Sequence, residues 1–153
     1  MYTVSFVLAA LATLASIEGK DRKFLIKNNC KESVWPGIHN TAPPAVPIDG
    51  PLGFHLAPGA HKTLTVSDHW GGRIWPRTKC STQDGKWHCQ TGDCEGTEEQ
   101  GCHENKTGQA CTLGEWTLAT ENPSEVGPFS DWYDLSLVDG KDARFRSACF
   151  LER

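Results

Sequence analysis

Gly85-Lys-Trp-His-Cys89-Gln-Thr-Gly-Asp-Cys94-Glu-Gly-Thr-Glu-Glu-Gln-Gly-Cys102 is the stretch on which the reading of this chain turns. Cys89, Cys94 and Cys102 fall close together, Cys80 lies just upstream, and Gly85, Gly92, Gly96 and Gly101 stand among them. Glycine supplies the positive-φ turns that short covalent loops demand. A segment of this composition buries little apolar surface and needs cross-links to hold a shape. Disulfides and metal–thiolate bonds are the two links available, and the compartment decides between them.

The compartment is read from the N-terminus. Val4-Ser-Phe-Val-Leu-Ala-Ala-Leu-Ala-Thr-Leu-Ala-Ser-Ile17 is an apolar run that ends at the charged Glu18-Gly-Lys-Asp-Arg-Lys23. It is short of the roughly 20 residues of a permanent membrane span. It has the length and small-residue ending of a secretory signal peptide, although no Lys or Arg precedes it; a buried N-terminal helix is the alternative. The reading assigns residues 1–19 as signal peptide, with cleavage between Ala15 and Lys20, and a secreted, extracellular mature chain with no membrane span. About 134 residues remain from Lys20, which suits one domain with one modest core. A net charge of −4 makes no electrostatic case for nucleic acid.

All seven cysteines (Cys30, Cys80, Cys89, Cys94, Cys102, Cys111, Cys149) lie in the mature part, which in a secreted chain predicts disulfides. A zinc site of Cys89, Cys94, Cys102 and His103 is the alternative. Its spacing matches no common zinc module and an oxidising compartment disfavours free thiolates, so neither metal nor cofactor is expected. The odd count leaves at least one cysteine without an intrachain partner, so a disulfide-linked dimer stands beside the monomer as an expectation.

Along the chain, Phe24-Leu-Ile-Lys-Asn-Asn-Cys30 reads as a strand and Ser33-Val-Trp-Pro36 as a second, stopped by proline. The Pro- and Gly-rich residues 40–59 read as a surface loop containing a short strand at Gly53-Phe-His-Leu56. His61-Lys-Thr-Leu-Thr-Val-Ser67 alternates and is a strand. Gly71-Gly72 reads as a turn before Arg73-Ile-Trp-Pro-Arg-Thr-Lys-Cys80; if that segment is extended, Arg73, Trp75 and Arg77 share one face, which is either solvated or offers donors to a ligand. Leu113-Gly-Glu-Trp-Thr-Leu118 and Trp132-Tyr-Asp-Leu-Ser-Leu-Val-Asp139 complete the strands. The mature chain shows no sustained helical periodicity, so the fold class is all-β, a sandwich or barrel. Asn105-Lys-Thr107 is an N-glycosylation sequon. The charged tail 141–153 lacks strand alternation.

Laid out in this way, the chain resembles the thaumatin/osmotin-like family from about Phe24 to Gly140. Lys27-Asn-Asn-Cys-Lys-Glu-Ser-Val-Trp35 resembles that family's opening strands, and Arg73-Ile-Trp-Pro-Arg-Thr-Lys-Cys80 its Arg-Ile-Trp-x-Arg-Thr-x-Cys segment. Cys89-Gln-Thr-Gly-Asp-Cys94 is the core of its signature. Leu113-Gly-Glu-Trp116 and Tyr133-Asp-Leu-Ser-Leu-Val-Asp-Gly140 resemble its Glu-bearing and Asp-bearing segments. The resemblance implies a β-sandwich core with disulfide-rich loops and an acidic cleft, to which Arg73, Glu115, Asp134 and Asp139 correspond. It also implies the pairs Cys80–Cys89 and Cys94–Cys102. The likeness departs at Trp87, where the family has Gly or Phe, and in the longer gap from Cys94 to Cys102. It stops at Gly140, so the expected organisation is a C-terminally short form. Residues 20–140 then make a partial domain without the family's second domain and closing strands, and 141–153 a divergent tail. Pairing of Cys30, Cys111 and Cys149 stays open.

Three functions follow from this reading. The first is a secreted defence-type, antifungal protein that binds β-1,3-glucan or a related cell-wall polysaccharide. Cleft carboxylates accept hydrogen bonds from sugar hydroxyls and tryptophan faces stack on pyranose rings. The bland alternative for Arg73 and Glu115 is an ion pair that braces neighbouring strands. The second is a weak endo-β-1,3-glucanase with Glu115 as acid and Asp134 or Asp139 as the second carboxylate. The third is a short form without the family activity.

Overall fold

A computed structural model of the chain describes residues 21–41, 48, 50–103, 111–119 and 130–138. The strands in chain order are β1 (Arg22–Lys27), β2 (Gly37–Asn40), β3 (His61–Val66), β4 (Gly71–Trp75), β5 (Thr78–Gln83), β6 (Lys86–Thr91), β7 (Leu113–Thr117) and β8 (Trp132–Ser136). There is no helix among the described residues, and so none long and apolar enough to cross a membrane. They form three antiparallel sheets: β1–β3, β2–β4–β7–β8, and the β5–β6 hairpin.

The first two sheets enclose the core. In β3 the alternation read from the sequence holds: Leu64 and Val66 are buried while Thr63 and Thr65 are exposed. Opposite them, Phe24 and Ile26 of β1 turn inward. The four-stranded sheet contributes Ile38 and Ile74, directly paired across β2 and β4. Trp70 and Trp116 fill the space between, with Phe24 edge-on to both at 5.5 and 5.4 Å. Such edge-to-face contacts add about 0.5–1.5 kcal/mol each beyond the area they bury. The described strands are thus an all-β, two-layer arrangement, as the sequence predicts.

The boundaries differ from the sequence reading in four places. Ser33–Pro36 is not a strand: only Val34 makes bridges, to Leu56 and Thr78, and the strand begins after the proline at Gly37. Gly53–Leu56 likewise makes only isolated bridges. Gly71-Gly72 is not a turn but the start of β4. A Cβ on Gly72 would lie 2.5 Å from the Trp70 indole, so the glycine makes room for a core side chain. Finally, Arg73–Cys80 is two strands, broken at Pro76, which has no N–H to continue the ladder.

Asn28 closes β1. Its side chain is fully buried, donates to the carbonyls of Glu32 (2.8 Å) and Leu56 (2.9 Å), and accepts from the Cys30 N–H (2.9 Å). A buried amide is tolerated because these bonds satisfy it.

The hairpin turn is Asp84-Gly85, with φ of 50° and 76°. Two positive φ values define the type I′ turn that suits a two-residue hairpin, and Asp-Gly is its strongest local signal. Cys80 and Cys89 face each other across this hairpin and are bonded, with Cα atoms 3.9 Å apart. Cys94 and Cys102 are bonded with Cα atoms 5.1 Å apart and close the loop that follows.

Candidate functional site

The register of the larger sheet lines up four polar side chains. His39 of β2 is opposite Arg73 of β4, Arg73 is opposite Glu115 of β7, and Glu115 is opposite Asp134 of β8. Directly opposed residues in antiparallel pairs share a face, with Cβ atoms about 4.5–5.5 Å apart. The row therefore stands on one side of the sheet, while Ile38 and Ile74, one residue along, face the core.

Arg73 Nε and Glu115 Oε1 form an ion pair, with 35% and 24% of the two side chains exposed. Asp134 is exposed beside them. A groove of about 230 Å³ runs along this row, walled by Arg73, Glu115 and Asp134 with Thr41, Thr117 and Trp132. Trp132 is 66% exposed. The arrangement puts carboxylate acceptors, a guanidinium donor, hydroxyls and a flat apolar surface in one shallow channel. This is the donor and acceptor set that hydroxyl-rich ligands match. The ion pair is also what a strand-bracing role requires, but at this exposure such pairs contribute only about 0–1 kcal/mol to folding.

Arg73, Glu115 and Asp134 are brought together. Asp139, the sequon Asn105 and Cys149 lie outside the described residues. Thr41, Thr117 and Trp132 line the groove, His39 stands at the end of the row beside Arg73, and all four are absent from the sequence-based set. Thr117 and Trp132 were within reach of it, because Thr117 is two residues from Glu115 and Trp132 two from Asp134. His39 lies between the segment Ser33–Pro36 and the loop 40–59 of the sequence reading, and no spacing points to it.

Arg77 corrects a second expectation. It does not share a solvated or ligand-facing side with Arg73, because the break at Pro76 ends the alternation at Trp75. Both Trp75 and Arg77 are fully buried. Arg77 exchanges backbone hydrogen bonds with Trp35 and donates from Nε to the Trp35 carbonyl at 2.9 Å. Burial pushes its pKa down to about 10, and the nearby Asp93 carboxylate opposes the shift. It stays a cation at neutral pH, with the Asp93 carboxylate as a nearby counter-charge. Asp93 also accepts the Cys89 N–H at 3.3 Å and pairs with His88 Nδ1 at 2.6 Å. Asp93→Asn is expected to lower stability by about 1–3 kcal/mol, the cost of weakening its bonds to Cys89 and His88 and of removing a counter-charge near the buried Arg77. Urea denaturation of the variant against the parent measures this.

The zinc alternative is overturned by the disulfides. Cys89, Cys94 and Cys102, three of its four ligands, are consumed in the bonds to Cys80 and to each other. Among the described residues no group of three or more His, Cys, Asp or Glu side chains is placed to hold a metal ion. Cys30 is also disulfide-bonded, and Cys111 is buried in the core cluster.

An all-β, disulfide-clipped fold with an acidic groove on its larger sheet defines a class of small cross-linked β proteins. Comparison with known proteins narrows that class. The thaumatin family model matches residues 28–146, past the Gly140 at which the motif resemblance stops. The chain is 37% identical over 142 residues to thaumatin-like protein 1 of Pyrus pyrifolia, covering 90% of this chain and 52% of that protein. It is 38% identical over 143 residues to thaumatin-like protein 2 of Prunus persica, covering 92% and 54%. It is 35% identical over 140 residues to pathogenesis-related protein 5 of Arabidopsis thaliana, covering 91% and 51%. The chain belongs to the thaumatin family. It spans about half the length of these curated relatives.

Proposed function

We propose that this chain is a secreted, defence-type carbohydrate-binding protein whose groove along Arg73, Glu115 and Asp134 takes β-1,3-glucan of a microbial cell wall. In this reading residues 1–19 are the signal peptide, 20–140 the thaumatin-like unit and 141–153 its divergent tail, and Asp139 and a glycan on Asn105 belong to the working protein. The observation that carries the reading is the row itself: three charged side chains from three adjacent strands, beside an exposed Trp132, in one groove. Relatives described as thaumatin-like and pathogenesis-related support the defence-type role.

Binding without cleavage is the favoured form. Glycoside hydrolysis needs one carboxyl group to hand over a proton and a second to act as base or nucleophile. Glu115, the candidate acid, is engaged as an acceptor by the Arg73 guanidinium. The groove is also shallow, and an open site excludes water poorly.

The test is co-sedimentation of the secreted monomer with insoluble β-1,3-glucan, with cellulose and chitin as controls. Selective pelleting with β-1,3-glucan, without release of reducing sugar, is the expected result. Well-folded monomer that stays in the supernatant overturns the reading and leaves a short form without the family's carbohydrate binding.

A further inference from the structure

The exposed apolar surface of the described residues is concentrated at one edge. Six large hydrophobic side chains stand exposed there and elsewhere, and five of them belong to β8 or the two residues after it. These five are Trp132, Tyr133, Leu135, Leu137 and Val138, at 53% to 91% exposure; Leu25 of β1 is the sixth. Single exposed apolar residues are ordinary on a protein surface, whereas a contiguous group marks an interaction surface.

Sheet order explains why these side chains are uncovered. β8 is the last strand of the larger sheet and pairs only with β7 among the described strands. Tyr133 and Leu135 are opposite Trp116 and Gly114, so they stand on the core side of the sheet. Over β7 that side is closed by the Trp116 ring: a Cβ on Gly114 would lie 2.4 Å from its edge. Tyr133 and Leu135 lie one strand further out and belong to no part of the core cluster. The opposite edge of the sheet, β2, differs: Gly37 and Ile38 are buried, and His39 and Asn40 half-buried.

An open edge offers its outward N–H and C=O groups to any strand that can pair with them. Such edges are ordinarily blunted by lysine, proline, a bulge or brevity. β8 pairs with β7 over five residues without a bulge and carries neither Lys nor Pro; Asp134 is its single charge.

We propose that β8 is a self-association edge, at which a second copy of this chain adds its own β8 antiparallel about a two-fold axis through Leu135. The residues select this register. A pairing centred on Asp134 sets two carboxylates directly opposite each other, which is destabilising. A pairing centred on Leu135 sets Leu135 against Leu135, Tyr133 against Leu137 and Asp134 against Ser136, and extends the strand through Leu137. Apolar side chains then meet along the core side and no like charges are opposed. Trp132 and Val138 flank the paired segment. At about 150–250 Å² for a ring, five such side chains bury on the order of 500 Å² per copy, or about 1,000 Å² in all, the size of a small, reversible interface. Both copies use the same edge, so the assembly closes as a dimer with the covered β2 edges outermost. The pairing needs no cysteine, which separates it from a disulfide-linked dimer, and it holds whether or not the groove takes glucan.

Sedimentation velocity of the purified chain, from about 1 to 200 µM, tests it. A monomer–dimer equilibrium that reverses on dilution is expected, with monomer alone on a non-reducing denaturing gel. Leu135→Lys and Leu135→Glu each oppose like charges across the axis and are expected to weaken the dimer at least tenfold, a figure of about 1.4 kcal/mol. Mixed in equal amounts, the two variants are expected to restore it, because Lys then faces Glu. Position 135 is exposed in the monomer, so both variants are expected to melt with the dilute parent, and restoration on mixing guards against a folding defect. A chain that stays monomeric throughout, a dimer that survives the denaturing gel, or one that neither variant weakens overturns the edge pairing. A mixture that fails to restore the dimer overturns the register through Leu135.

Discussion

Trp75→Ala is expected to lower stability by about 3–5 kcal/mol for the lost side chain, the range measured for large aromatic truncations in cores. Trp75 is fully buried at the end of β4, and its indole N–H donates to the Gly92 carbonyl at 2.8 Å. That bond ties the central strand of the larger sheet to the disulfide-clipped segment after the hairpin. Truncation leaves a cavity and also a buried carbonyl without its donor, which adds about 1–3 kcal/mol if water does not enter. Against a total stability of about 5–15 kcal/mol the loss is large. The melting temperature should fall by on the order of 15 °C. Trp75→Phe, which restores most of the volume but not the donor, should recover more than half of the loss. A melting temperature unchanged by Trp75→Ala would mean that the hairpin segment is not packed on the sheet.

The second large effect is expected from the Cys94–Cys102 bond. Replacing both cysteines by alanine opens a loop with a sequence separation of 8. Chain entropy for a loop of this size gives about 2.5 kcal/mol, and removing native disulfides from small secreted domains commonly costs about 2–5 kcal/mol. Besides the disulfide, the loop is held by backbone hydrogen bonds: Thr97 and Gly101 exchange bonds across it, and the Leu52 N–H donates to the Gln100 carbonyl at 2.8 Å. Gly101 sits at φ 78°, and a Cβ there would fall 2.1 Å from the Gly53 nitrogen, so its backbone lies directly on the neighbouring segment. Cys102 donates its N–H to the Leu52 carbonyl at 3.2 Å. Without the disulfide these contacts are expected to open locally. Hydrogen exchange at Gly101 and Cys102 should accelerate before that of β3 or β4 does. Equal protection in the variant would show that packing alone holds the loop.

Much of this was legible in the sequence because it is local. The alternation of His61–Ser67 is produced by one buried face and appears as β3. The segments containing Glu115 and Asp134 are adjacent strands, and their pairing puts the two carboxylates in register. The strand that carries His39 was not legible. Gly37–Asn40 is too short to show a period, and it becomes a strand only because β4 is beside it. Gly71-Gly72 carries turn chemistry by composition, yet its real constraint is the Trp70 ring, which lies close in space only after folding. Arg77 was misplaced for the same kind of reason. Alternation is a property of an unbroken strand, and Pro76 ends it between Trp75 and Arg77.

The groove row depends on both levels. Residue types and order supply Arg73, Glu115 and Asp134, whereas sheet order β2–β4–β7–β8 makes them neighbours. The ion pair at its centre separates two roles that one variant can distinguish. Glu115→Gln keeps the side-chain volume and the hydrogen-bonding oxygen but removes the charge. A bracing role would appear as lost stability, limited to about 1 kcal/mol at this exposure. A ligand role would appear as lost affinity with the melting temperature held.

The measurement that tests the central claim most directly is therefore the binding isotherm of Glu115→Gln on insoluble β-1,3-glucan, read beside its melting curve and against the parent protein. The account predicts an affinity reduced by about tenfold, roughly 1.4 kcal/mol, with the melting temperature within about one degree of the parent. Unchanged affinity with a clearly lowered melting temperature would contradict it and make the Arg73–Glu115 pair a strand brace.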